Sequence, residues 1–426
     1  MIGVVMCRVR PARVTCQVDR DGGSIRAADQ ASAAAATSPA RKVYLLAPLV
    51  AVLALVPVAV FAHNPMDFEL AYRAGQQAWT SGHPERIATW SGTPFYAMVM
   101  AAISRAWPLD VAATGMLIVN LLARGGVLLG VWNRLHRRVP PTWWWGTLIA
   151  AGILAPGIAT VFWMQPNVIL LALALAGVAL IGRHDRSAGL LMGLTLAIKP
   201  VLLLLPLALL LRRQTRRAAL WSIALAALLS AIGLAFLAWR AGDVSVGSPF
   251  VYAGRFLTVV GRPGSVCVIE NYSPTALLCR FGVPSSTALT ILINVAVLGI
   301  GWLIVHQLRH EQHVRWEMFA AASLLSPMVG PIGWAVYQVL LAPLMLLLAY
   351  QFWVERAPLF LWINLAFVFV LTMIIWDPLE SLANVPVILL IVSYTVGQFA
   401  QYFLILLWIQ WLRMRAARVS NAKGPK

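Results

Sequence analysis

Gly182-Arg-His-Asp-Arg186, then Ala188-Gly-Leu-Leu-Met-Gly-Leu-Thr-Leu-Ala-Ile-Lys-Pro200, then Arg212-Arg-Gln-Thr-Arg-Arg217 is the stretch that decides how this chain is built. Both flanks are short basic clusters, the signature of the cytoplasmic side of a membrane. Only residues 188–211 lie between them, and a single spanning helix of about 20 residues would leave one basic cluster outside. The reading adopted is a pair of short helices broken at Lys199-Pro200, because proline removes an N–H and clashes with the preceding turn. Such a break is tolerated at membrane depth only where protein or water covers the freed backbone. Lys199 is the one ionisable residue from Ala188 to Leu211, near the apex of the pair. An intramembrane charge is costly and therefore a functional candidate. A phosphate is its natural counter-charge, and snorkelling to a headgroup is the other reading.

The composition says the same of the whole chain. Of 426 residues, 60% are hydrophobic and 11% charged, with a mean hydropathy of +0.79. A soluble domain that apolar has too little polar surface to clothe itself. Long continuous apolar runs, in place of alternating segments, exclude a β-barrel. The fold class expected is an all-α polytopic membrane protein. The formal charge of +18 resembles a nucleic-acid signal. However, the basic residues sit in short clusters between apolar runs (Arg134/Arg137/Arg138, Arg183/Arg186, Arg212–Arg217, Arg413/Arg415/Arg418), which marks a membrane face and not a nucleic-acid surface.

Working outward, residues 1–42 read as a disordered cytoplasmic tail or an over-extended gene start, and 43–62 as the first membrane helix. His63 to Trp107 is too polar to span. It reads as two amphipathic helices on the outer surface, 67–80 and 94–106. Helix 111–133 returns to the cytoplasm, and Trp143-Trp-Trp145 opens the next as an interfacial belt. That helix exits near Pro156-Gly157, and Gln165-Pro-Asn167 begins the return to Arg183. Beyond the broken pair come helix 218–240, an exterior loop 241–285, helix 286–308, and a short helix to the Pro/Gly-broken turn Ser326–Trp334. Helices 335–353, 357–376 and 385–412 follow, then a basic tail over 413–426. The expectation is about twelve crossings or half-crossings, each near 20 residues or half that, with both termini cytoplasmic.

The acids Asp67, Glu69, Glu85, Asp110, Asp243, Glu270, Asp377 and Glu380 all fall on the exterior side of this scheme. His63-Asn-Pro-Met-Asp67-Phe-Glu69 places two of them at the mouth of the first helix. Asp67 is a candidate base, and its plain reading is helix-start chemistry. Arg124, inside a span, carries the same two readings as Lys199. His306, His310 and His313 share one helical face, but at a cytoplasmic helix end a solvated terminus explains them, so no metal site is read. Cys267 and Cys279 share an exterior loop as a disulfide or as two free thiols. Asn271-Tyr-Ser273 fits a glycosylation sequon, weakened by Pro274.

These motifs together resemble the GT-C class of polyprenyl-phosphate-sugar-dependent glycosyltransferases, specifically family 87, over roughly residues 43–412. The resemblance rests on Asp67-Phe with Tyr72 and Gly82, on Gln165-Pro-Asn167, and most specifically on Ala188-Gly…Ile-Lys-Pro200. Asn271-Tyr-Ser273 with Arg280, and Ser326-Pro327 with Trp334, complete it. The resemblance implies a GT-C-type bundle that transfers a sugar, mannose by analogy, from a polyprenyl phosphate to a lipid-linked or glycan acceptor. The reaction would take place on the exterior face of the plasma membrane, with inversion and without a cofactor or metal. Asp67 then becomes the general base, accepting the acceptor's proton as its hydroxyl attacks. Lys199, with Arg280 or Arg124, would bind the donor phosphate and stabilise the leaving group. Glu69, Tyr72, Gln165, Asn167, Asn271, Trp334 and Tyr337 would line the site, Glu69 only at its margin. A histidine common in the family after the Trp of the Ser-Pro block is absent here, so its role is lost or moves to Tyr337 or Gln338. His83-Pro84 also departs from the usual residues after Gly82. Two other classes compete: a transporter or flippase, which usually shows two matching halves, and a surface-glycan polymerase or ligase with a large central exterior loop.

Overall fold

A computed structural model describes residues 7–10, 13–16, 66–87, 90, 92–135, 139–140, 143, 145–147, 150, 155–242, 267, 271–284, 286–308, 314–329, 335–373 and 386–422. The first membrane helix expected over 43–62, most of the 241–285 loop, Trp334 and the Trp376–Glu380 segment lie outside these residues. Two units separate at Val50/Ala51. In the first, β1 (Cys7–Arg10) pairs antiparallel with β2 (Arg13–Cys16), Val9 opposite Val14. The β-branched residues at 9, 14 and 15 favour this local pairing.

The regular elements of the second unit are helices, among its described residues. Five of its helices are long and apolar enough to cross a membrane: Leu109–Val131, Arg213–Arg240, Thr287–Gln307, Tyr337–Val354 and Ile391–Arg418. Asn167–Leu180 and Leu359–Met373 are shorter apolar helices. This is a polytopic all-α membrane protein.

The two amphipathic helices form as read, α1 over Met66–Ser81 and α2 over Pro94–Ala106. On α1 the residues Phe68, Ala71, Tyr72, Ala74 and Ala78 are buried, at helical spacing, against Ala97, Met100 and Ala101 of α2. Thr93 caps α2, its hydroxyl accepting from Tyr96 N at 3.1 Å, with Pro94 at the first helical position. After α1 the chain reverses at Gly82, whose φ of +72° lies in the left-handed region. A Cβ there would also come within 2.3 Å of the Leu237 carbonyl oxygen.

α3 (Leu109–Leu135) leads to α4 (Ala155–Phe162) and α5 (Asn167–Leu180). The return begins at Gln165-Pro-Asn167 as read, but the chain is still helical past the expected exit at Pro156-Gly157, because Pro156 sits in the first turn of α4, where a missing N–H costs nothing. α6 (Asp185–Ile198) ends at Lys199, which is extended at φ −155° as the residue before proline prefers. α7 (Leu204–Leu210) and the long α8 (Arg213–Arg240) follow.

The broken pair is settled by packing. A Cβ on Gly189 would lie 2.4 Å from Trp221 Cβ, and one on Gly193 would lie 2.7 Å from Ser222 O. Increasing positions on α6 thus meet increasing positions on α8, so the two helices run parallel. The segment 199–212 must therefore return to the end from which α6 started. Arginines gather at that end. Arg212 donates to Leu308 O at 2.5 Å, beyond the C-terminus of α10 (Thr287–Gln307), and Arg315 donates to Ile181 O at 2.6 Å, beyond α5. Both satisfy carbonyls that a helix end leaves unpaired. The freed N–H at the start of α7 is satisfied too: Leu204 N donates to Ser326 Oγ at 3.1 Å. The Ser326-Pro327 motif is thereby a cap for the second half-helix. Gly189→Val should place methyl groups against α8 backbone and destabilise the protein by about 1–3 kcal/mol or more. A lowered thermal midpoint in detergent is the expected measurement, with a smaller effect for Val at Gly126 of α3, where an added Cβ meets nothing within 4 Å.

The remaining helices are α9 (Pro274–Arg280), α11 (Val314–Leu325), α12 (Ala342–Val354), α13 (Leu359–Met373) and α14 (Val387–Ala422). The crossing expected over 335–353 forms as Tyr337–Val354, its first part a 3-10 segment over Ala335–Leu341 that runs directly into α12. α14 overruns the expected end at 412 because its basic residues have partners. Arg415 Nε lies 3.0 Å from Glu355 Oε1, and Arg418 lies 4.0 Å from the other oxygen of Glu355.

Candidate active site

The first turn of α1 carries Asp67, held half-buried by its buried neighbour Phe68. Its carboxylate Oδ2 accepts a hydrogen bond from Gln165 Nε2, which comes from the α4–α5 turn. That turn is tightly built. Met164 adopts φ +52°, rare for a residue with a side chain and costing roughly 1–3 kcal/mol, and it is buried against the α1–α2 layer. Gln165 N donates to Thr160 O at 3.0 Å. The Gln165 carbonyl Oε1 accepts from Asn167 Nδ2 at 2.9 Å and from Lys199 Nζ at 3.2 Å. One amide therefore stands between the acid and the cation.

Lys199 reaches this amide from the break between α6 and α7, and its ammonium lies 4.6 Å from the centre of the Tyr337 ring. Of the two residues noted after Trp334, Tyr337 is the one that faces Lys199. Gln338 points elsewhere, donating to Gly397 O on α14 at 2.9 Å. Thr93 adds a link invisible in the sequence. Its hydroxyl donates to the carbonyls of Ala197 and Ile198, the last two residues before Lys199.

The electrostatics follow from burial. Burial pushes the Asp67 carboxyl above the ordinary carboxylate range, against the opposing pull of the Gln165 hydrogen bond and the Lys199 charge. Tyr96, stacked on Trp90 at 5.5 Å, is pushed up by burial and then by the Asp67 charge, so its hydroxyl stays neutral.

Other residues expected at the site sit elsewhere. Tyr72 is a structural tie, its hydroxyl donating to Trp107 O at 2.9 Å. Glu69 pairs with Arg73 at 2.5 Å on the exposed side of α1. Arg280 donates to Asn271 O at 2.6 Å and to Gln398 Oε1 at 2.9 Å, clasping α9 to α14. Cys267 and Cys279 form a disulfide beside this clasp. Asn271 is fully buried, and its side-chain oxygen accepts from Ser273 N at 2.9 Å, an Asx turn that leads into α9. The sequon is therefore fold chemistry. Arg124 is buried on α3 one turn after the fully buried Asn120. Trp334, His310 and His313 lie outside the described residues.

A broken-helix membrane bundle that presents a carboxylate and an ammonium on the two arms of one amide has the parts of a membrane-embedded group-transfer enzyme. The profile of glycosyltransferase family 87 matches residues 90–331, more than half of the chain. The chain belongs to that family and is a glycosyltransferase. Searches of curated proteins and of solved structures gave no match. The matched span holds Gln165, Asn167, Lys199 and Arg280. Asp67 lies before it.

Proposed function

We propose that this glycosyltransferase moves a sugar, mannose as the first candidate, from a polyprenyl-phosphate donor to a lipid-linked or glycan acceptor. The observation that carries the reading is the shared Gln165 amide, with Asp67 on its nitrogen and Lys199 on its oxygen. In this reading the acceptor hydroxyl attacks the anomeric carbon while Asp67 takes its proton. The bond from that carbon to the phosphate oxygen breaks, and the lipid phosphate leaves with its charge met by Lys199. Attack opposite the phosphate inverts the anomeric centre. The leaving group is already a weak base, so no protonated acid is required. The donor's lipid tail favours a site at a bilayer interface beside lipid-facing helices. The basic clusters around Arg183, Arg212 and Arg315 favour the cytoplasm for the opposite end, with Asp67 and the disulfide-bearing loop on the exterior.

The test is purified protein in liposomes, given radiolabelled polyprenyl-phosphate mannose and a membrane-lipid extract as acceptor source. Label appearing in a product other than the donor supports the reading. Movement of intact donor between leaflets, without transfer, would favour a flippase and overturn it. The same liposomes test topology: a cysteine placed at Gln214 should react with an impermeant maleimide only from the side bearing the basic loops. Reaction from the side of Asp67 would overturn the assigned sidedness.

A further inference from the structure

Asp67 and Lys199 do not form a salt bridge in the structure, although both address the same side chain. Their direct attraction would be strong in a partly desolvated site, and a collapsed pair would leave neither group free. We propose that Gln165 is a positioning residue that holds the two charges apart, keeping the carboxylate open to a hydroxyl and the ammonium open to a phosphate. The inference rests on the assignment of Asp67 as base.

The chemistry of the amide makes its orientation unambiguous. Lys199 has only donors to offer, so only the oxygen of Gln165 can face it. Asn167 Nδ2 donates to that same oxygen from a fully buried side chain, leaving the NH2 group for Asp67. The backbone beneath is fixed on both sides. Met164 is in the left-handed region, Gln165 N is bonded to Thr160 O, and Pro166 follows. The spacer therefore stands on a rigid turn and not on a mobile loop. Among the described residues Asp67 receives one side-chain hydrogen bond, on Oδ2, so Oδ1 is the oxygen that faces the acceptor hydroxyl in this proposal.

Two variants pull in opposite directions. Gln165→Leu keeps the bulk but removes both polar arms, so Asp67 and Lys199 can pair directly. Direct contact with the Lys199 charge outweighs the lost hydrogen bond from a neutral amide, so the acidic limb of the pH–rate profile should move to lower pH, and kcat should fall about 10- to 100-fold. Gln165→Glu keeps the acceptor toward Lys199 and Asn167 but sets a second carboxylate against Asp67. The two acids then share a proton, and the limb should move up by about one pH unit or more. A residue that merely supports the fold would lower the yield of folded protein and kcat without moving the limb in either direction. The measurement is transfer from radiolabelled polyprenyl-phosphate mannose in liposomes from pH 4 to 9, with thermal unfolding in detergent to score folding. Should Leu fail to fold, the near-isosteric Glu variant still decides. Limbs that stay in place, or move the same way in both variants, overturn the inference. Full activity in Asp67→Asn would instead sink the base assignment beneath it.

Discussion

Asp67→Asn should lower sugar transfer by about 10²- to 10⁴-fold, the range a positioned general base contributes, while leaving donor affinity within about threefold, well under one 1.4 kcal/mol decade. The substitution is isosteric, and its amide oxygen can still accept from Gln165 Nε2, so the α1–turn contact survives. What disappears is a group able to take the proton of an attacking hydroxyl. The pH dependence carries the same signature. Burial raises the Asp67 pKa, so the carboxylate protonates at a higher pH than a free one. The base form is present above that value and lost as pH falls through it. The wild-type rate should therefore fall on an acidic limb above the usual carboxylate range, and Asp67→Asn should flatten that limb along with the rate. Initial rates across pH in reconstituted liposomes check both points, and undiminished transfer by the variant would remove Asp67 from the mechanism.

Lys199→Met should weaken donor binding by at least about 30-fold, the lower end of the cost of removing one partner of a desolvated charge pair. Methionine keeps an unbranched stem over the Tyr337 ring and removes only the charge and its hydrogen bond to Gln165. Because the leaving phosphate gains charge as the glycosidic bond breaks, kcat should fall as well. Donor affinity is the first readout, measured by equilibrium binding of polyprenyl-phosphate mannose in nanodiscs. An unchanged affinity would count against the phosphate role and return Lys199 to a packing cation held by Tyr337. The Asp67 and Lys199 variants thus separate by parameter, the first acting on turnover and the second chiefly on binding.

The parts of this site were legible in the sequence to different depths. Lys199 stood out because one charge in an apolar run has no cheap alternative explanation, and Lys-Pro announces a break through local sterics alone. Asp67 stood out by scarcity and position, which do not distinguish a helix start from a base. Gln165 and Asn167 were noticed through resemblance, yet nothing local says that one amide will bridge an acid 98 residues away and a lysine 34 residues away. Arg280 shows the converse. As a cation in an exterior loop it reads as a phosphate ligand, and nothing local says that its guanidinium will also tie Asn271 O and Gln398 together. Tyr72 followed the same course toward the Trp107 carbonyl. Thr93, Met164 and Tyr96 carried no warning, since their roles arise from what α6 and α1 bring against them.

The sequence by itself determined the membrane setting, the two amphipathic helices and the break at Lys199-Pro200. Each follows from hydropathy, periodicity or backbone sterics over a few neighbouring residues. The basic flanks already pointed to a return of residues 182–217 to one end of the bundle, and only the tertiary structure supplied its cause, the parallel contact of Gly189 and Gly193 with α8. The tertiary structure also decided that Lys199 meets Asp67 through an amide and not directly. Contacts across the bundle depend on which faces pack, and a partner's reach is fixed only once the helices that carry it are in place.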